Sequence, residues 1–308
     1  ELKFQARVDR DYAGAPPVRA VRAQLAQAFL NLVLAWLCAA LFLRALCGDA
    51  RVALVLGLPF GLGLHLFRDV QWYTVEKTSI FVLPLYGWAW LGVVRRGGAW
   101  RWGAAGVVLL AATLNLYLAL VLGLAAGAAT LAAAAVALQR HRTLRPAARR
   151  AGRDLVLSYG ATVLALVPLA ALQASLLGDA ATLTSPRCFL ELRAALDTLT
   201  LWPPAWNRLE LWRATDPLVW ALAGWGLWAA RRRAAAPVLA LVALALAALA
   251  LGPRVLGLTN PAYMALWWGM PFFWRIAKPE VFFFVSWLAV LGLAALGVAE
   301  RRPSTTAV

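Results

Sequence analysis

Residues 68–77 read RDVQWYTVEK, placing Arg68, Asp69, Glu76 and Lys77 beside Gln71, Trp72, Tyr73 and Thr74 between two apolar runs. A carboxylate can take a proton from an attacking hydroxyl or hold a divalent cation, and guanidinium and ammonium groups hold phosphate. The adjacent opposite charges Arg68–Asp69 and Glu76–Lys77 suit either a polar site facing a cavity or two helix ends held by local ion pairs. A second group follows at 275–280, where Arg275, Lys278 and Glu280 come after the aromatics Trp267, Trp268, Phe272, Phe273 and Trp274. A cation among aromatics at headgroup depth suits a lipid phosphate, and charge snorkelling from a helix end has the same appearance. Other chemistries lack their residues. The three cysteines (Cys38, Cys47, Cys188) and two histidines (His65, His141) have no zinc-like or disulfide-framework spacing. The chain contains no GxxxxGK[ST], GxSxG, HExxH or CxxC string.

The elements that must position these groups follow from composition. The 308-residue chain is 63% hydrophobic and 14% charged, with mean hydropathy +0.71. Soluble domains carry about 45–50% apolar and about 25% charged residues. An all-α polytopic membrane protein is the reading. The net charge of +16 then belongs to loops on the cytoplasmic side, and no nucleic-acid partner is needed to explain it. Abundant alanine, with Lys3, Lys77 and Lys278 the only lysines among 30 basic residues, points to a GC-rich bacterial genome and its cytoplasmic membrane.

A helix crossing a hydrocarbon core of about 30 Å needs about 20 apolar residues. Nine transmembrane helices are expected, at 25–47, 52–67, 78–94, 102–119, 120–138, 155–177, 217–230, 236–252 and 280–299. The run 102–138 is too long for one crossing, and Asn115 and Tyr117 mark a turn near its middle. The glycines of FGLGLHLF and AGWGLW should serve close helix packing.

Arginine sets the parity. One alternating set of loops holds Arg44 and Arg51; Arg95, Arg96 and Arg101; six arginines in 140–153; Arg231, Arg232 and Arg233; and Arg301 and Arg302. That side carries sixteen basic against three acidic residues, and the other fourteen against eleven. The positive-inside rule puts the first set in the cytoplasm. The chain then divides into an external juxtamembrane segment 1–24, a transmembrane helical domain 25–299 and a cytoplasmic tail 300–308. An external segment 1–24 without an export signal leads to the expectation of a further apolar span upstream of Glu1 in a longer protein.

The outer segments mix acid, base, aromatic and proline. In LWPPAWNRLELWRATD, Trp206, Leu209 and Trp212 fall at i, i+3, i+6, as in a short helix lying at the headgroups. In 253–279, Pro253, Pro261, Pro271 and Pro279 forbid one continuous helix, so short interfacial pieces are expected.

This layout, an external charged loop followed by SIFVLPLYGWAWLGVV, the basic turn RRGGAWRW, then NLYLALVLGLAAG and PFFWRIAKPEVFFFVSWLAVLGLAALGV, resembles the GT-C superfamily of multi-span glycosyltransferases, which use polyprenyl-phosphate sugars. The resemblance covers most of residues 25–299. It implies acidic residues in the first external loop, whose tail would hold Asp9 and Asp11, and in the second, which holds Asp69 and Glu76. It implies that one of these acts as catalytic base or metal ligand, with Mg or Mn as the cation. Arg68, Lys77, Arg275 and Lys278 would bind the lipid phosphate, and membrane lipids and a polyprenyl-phosphate sugar would be the partners. The chain departs from the pattern in two places. Asp69 and Glu76 stand seven apart and do not form the close acidic pair of metal-dependent members. WWGM at 267–270 lacks the Asp of the oligosaccharyltransferase signature. A transporter or flippase and a non-catalytic subunit of a membrane assembly are the alternatives. Against the transporter stand span interiors almost devoid of ionisable residues and the lack of an internal repeat.

Overall fold

The structure is a computed structural model describing residues 17–62, 79–114, 116–141, 149, 152–153, 160, 216–252, 254–255, 258–269 and 281–301. Of these, 89% are helical. The helices are α1 (Pro17–Cys47), α2 (Ala50–Gly61), α3 (Val82–Arg96, after a 3-10 turn at Ser79–Phe81), α4 (Trp100–Leu114), α5 (Leu116–His141), α6 (Pro217–Ala229) and α7 (Ala235–Ala250). A hairpin of β1 (Arg254–Val255) and β2 (Leu258–Thr259) precedes α8 (Pro261–Gly269) and α9 (Val281–Glu300).

Local chemistry fixes the turns. α1 ends at Gly48, whose φ of 78° lets its N–H reach the Arg44 carbonyl. The next residue caps α2: the Asp49 carboxylate accepts from the Arg51 and Val52 amides at 2.8 and 3.1 Å. α3 turns into α4 through Gly97 and Gly98, both at positive φ. Asp216 caps α6 through the Leu218 amide, with Pro217 in the first helical position. α4 is described to Leu114 and α5 from Leu116; residue 115, where the sequence marks a turn, lies outside the described residues.

Three stretches are long and apolar enough to cross a membrane: Ala26–Cys47, Leu118–Arg140 and Val281–Glu300, of 22, 23 and 20 residues. At about 1.5 Å per residue they span about 30–35 Å. α2, α4, α6 and α7 are also apolar but run only 12 to 16 residues, or about 18–24 Å. The nine full crossings expected from hydropathy are therefore not seen among the described residues. Among the expected spans, 52–67 is cut short within the described residues: α2 holds Pro59 and ends at Gly61 with Leu62 as its cap. The span expected at 155–177 lies outside the described residues except for residue 160. A further departure from an all-α reading is the two-residue-per-strand hairpin before α8.

α9 is the central post. Residues 281–297 are buried except Val285, with α1, α2, α6 and α7 packed around it. Its alignment with neighbours fixes their direction. Trp220 meets Trp287, and Gly226 meets Leu293 and Gly297, so α6 runs parallel to α9. The Ser286 hydroxyl donates to the Ala243 carbonyl at 2.8 Å, and Leu239 lies against Gly292, so α7 runs antiparallel. α2 folds back on α1: Gly57 faces Ala40, a Cβ on Gly61 would overlap Trp36, and the Trp36 indole donates to the Leu54 carbonyl. Close approach at small residues is how membrane helices gain packing contact where lipid supplies no hydrophobic drive. The expectation for the glycine strings thus holds at Gly61 and Gly226; Gly224, with nothing within 4 Å, is open.

These directions gather the arginines. Arg95 of α3 donates to Ala45 at the end of α1 at 2.5 Å. Arg140 at the end of α5 donates to the carbonyls of Arg232 and Arg231 at 2.7 and 2.6 Å. Arg233 pairs with Glu300 at the end of α9, and Arg301 lies over Trp225 of α6. Arg95 meets a carbonyl in the last turn of α1, where orphan acceptors and the negative dipole end favour a cation, and Arg140 meets carbonyls of the turn after α6. The opposite end carries the exit of α2, the turn at Ser79–Phe81, Asp216, the hairpin, α8 and the start of α9.

Candidate functional site

The end opposite the arginines is where the sequence put its chemistry. Asp9, Asp11, Arg68, Asp69, Glu76, Lys77, Arg275 and Lys278 all lie outside the described residues. The described flanks of the two main segments are nevertheless close in the architecture. The segment holding Asp69 and Glu76 leaves from α2 and re-enters at Ser79, and that holding Arg275 and Lys278 enters α9 at Val281. α2 packs directly against α9, and the Ser79–Phe81 turn against α1. Asp69 is seven residues from Leu62, and Lys278 three from Val281.

Asn260 organises the described part of this rim. Its side-chain amide donates to the Ala248 and Gly252 carbonyls at 2.7 and 2.9 Å, and its oxygen accepts from the Tyr263 amide at 3.4 Å. One buried side chain therefore joins the end of α7 to the start of α8. Tyr263 is buried and stacks on Trp267, with ring centroids 6.2 Å apart, while Trp268 is 81% exposed. Leu258, in the hairpin, is 74% exposed. The sequence foresaw short pieces in 253–279 from its prolines, and Pro261 does open α8. It missed the Asn260 clamp, for which TNP at 259–261, a polar residue just before a helix-opening proline, was the available signal.

Among the described residues no charged side chain is buried. The buried polar side chains among the described residues are Asn31, Ser79, Asn260 and Ser286, none of them ionisable. No group of three or more His, Cys, Asp or Glu side chains converges among the described residues. The only candidate metal ligands, Asp69 and Glu76, lie outside them, so no observed donor set supports a divalent cation. An apolar cavity of about 90 Å³ lies between α1, α3, α5, α7 and α9, lined by residues such as Phe42, Tyr86, Leu122, Leu239 and Leu288. Its walls accept aliphatic material and offer almost nothing to hydrogen-bond. It extends from Leu83, near the start of α3, to Leu46, near the arginine end of α1. The family models, the curated proteins and the solved structures compared with this chain yield no match.

Proposed function

We propose that this chain is a polytopic membrane glycosyltransferase of GT-C type, with about nine transmembrane segments, acting at the outer face of a bacterial cytoplasmic membrane. The donor is a polyprenyl-phosphate sugar. The observation that supports the reading is the sorting of the described bundle: no charged side chain among its buried residues, and arginines gathered at one end. That arrangement suits chemistry at a membrane surface, where a lipid-linked donor presents its headgroup. A translocation path would call for ionisable groups within the bundle.

In this reading the acceptor hydroxyl attacks the anomeric carbon as its bond to the phosphate oxygen breaks, through an oxocarbenium-like state. Asp69 or Glu76 takes the hydroxyl proton, and Asp9 and Asp11 are the candidates if the base belongs to the preceding segment. Arg68, Lys77, Arg275 and Lys278 stabilise the departing polyprenyl phosphate. The test is turnover of a panel of synthetic polyprenyl-phosphate sugars by protein in membranes, read as released polyprenyl phosphate. Asp69→Asn and Lys278→Ala should each lower kcat by at least about 100-fold, the scale of removing an acid–base or charge-stabilising group. Wild-type turnover in both variants at equal expression would remove the assignment.

A further inference from the structure

The turn joining α6 to α7 carries Arg231, Arg232 and Arg233, all exposed. Their surroundings differ. Arg233 is neutralised by Glu300 at 2.5 Å. Arg140 reaches in from α5 and gives both terminal nitrogens to the carbonyls of Arg231 and Arg232. That bidentate grip holds the turn in place and adds a third positive charge beneath it. Arg231 and Arg232 have no carboxylate partner among the described residues. Arg231 lies 5.2 Å over the Trp228 ring, which is itself 58% exposed. Trp228 in turn packs on Trp225, with centroids 5.0 Å apart, and Arg301 covers Trp225 at 4.4 Å. Exposed tryptophan at the end of an apolar helix marks the lipid interface, so guanidinium groups just beyond it stand at phosphate depth.

We infer that the Arg231–Arg232 turn, held by Arg140 and floored by Trp228, is a binding site for the headgroup phosphate of an anionic phospholipid in the cytoplasmic leaflet. The chemistry fits at each level. Two guanidinium groups offer paired donors to phosphate oxygens. Exposed Trp228 and Leu227 give the acyl chains an apolar flank. Basic groups between helix ends on the cytoplasmic side are where the anionic leaflet is read. The inference rests on the membrane-spanning reading and is independent of the sugar-transfer chemistry.

The test uses the full chain purified in neutral detergent. Binding of short-chain phosphatidylglycerol, phosphatidylcholine and inorganic phosphate is compared by native mass spectrometry or calorimetry. Phosphatidylglycerol should bind, with phosphatidylcholine and inorganic phosphate at least about tenfold weaker. At about fivefold per arginine near an anionic surface, the Arg231→Gln/Arg232→Gln double variant should lose about 25-fold. A control pair at the same end, Arg44→Gln/Arg51→Gln, should change binding by less than about threefold. Equal losses in the two pairs would show a diffuse basic face and overturn the site. Inorganic phosphate binding as tightly as phosphatidylglycerol would overturn the lipid as its ligand. Carbonate extraction keeps the failures apart: a chain extracted from membranes fails the spanning reading, and one that stays without lipid preference fails this inference alone.

Discussion

Gly226→Ala tests the central helix crossing. A Cβ at Gly226 would overlap the Leu293 carbonyl oxygen and lie 2.7 Å from its carbon and 3.1 Å from the Gly297 nitrogen. Ordinary contacts between carbon atoms sit at about 3.5–4.0 Å. α6 and α9 would have to part by on the order of 1 Å, which forfeits about a quarter to a half of the dispersion attraction at each contact. Overpacking costs about 1–3 kcal/mol. The obstacles here are backbone atoms, which cannot rotate aside, so about 3 kcal/mol is the expected cost. Alanine returns up to about 1 kcal/mol of helix propensity, leaving a net loss of about 2 kcal/mol. Gly224→Ala in the same helix, with open space around it, keeps the gain and meets no obstacle. Thermal unfolding in detergent, followed by tryptophan fluorescence, should show Tm about 4–8 °C lower for Gly226→Ala, at about 2–4 °C per kcal/mol. Gly224→Ala should be unchanged or slightly raised. Equal Tm values for the two variants would refute the close crossing of α6 and α9.

Two further substitutions probe local joints. Asn260→Ala removes both donors to the Ala248 and Gly252 carbonyls; leaving buried acceptors unpaired costs about 1–3 kcal/mol. Hydrogen exchange should rise in 258–269 and stay unchanged in α9, and uniform exchange across both would argue against a local clamp. Asp49→Ala removes the α2 cap and should cost about 1 kcal/mol. Asp49→Asn, which keeps an accepting oxygen, should restore most of the lost Tm.

Much of the scaffold was legible because its signals are local. Arginine placement and the Asp216–Pro217 helix start are each written within a few residues. The role of α9 was not. Its sequence, VFFFVSWLAVLGLAALGV, is apolar all round, and such a helix reads the same whether it faces lipid or neighbouring helices. Only packing shows that it is the post and that α5, with a third of its apolar window buried, faces outward. Three spans, expected at 217–230, 236–252 and 280–299, match their helices to within two residues; the one at 52–67 overran a helix end, because hydropathy continues past Gly61 where the backbone leaves the helix. Of the candidate chemistry, the sequence names residues, and all of them lie outside the described residues.

The most direct test of the sorted bundle is labelling from each side of the membrane. With Cys38, Cys47 and Cys188 replaced, single cysteines go in by Leu258→Cys and Arg232→Cys, both at exposed positions at opposite ends. An impermeant maleimide added to right-side-out vesicles should label the first and miss the second, and inverted vesicles should reverse the pattern. Labelling of both from one side, or of Arg232→Cys from outside alone, would contradict the account.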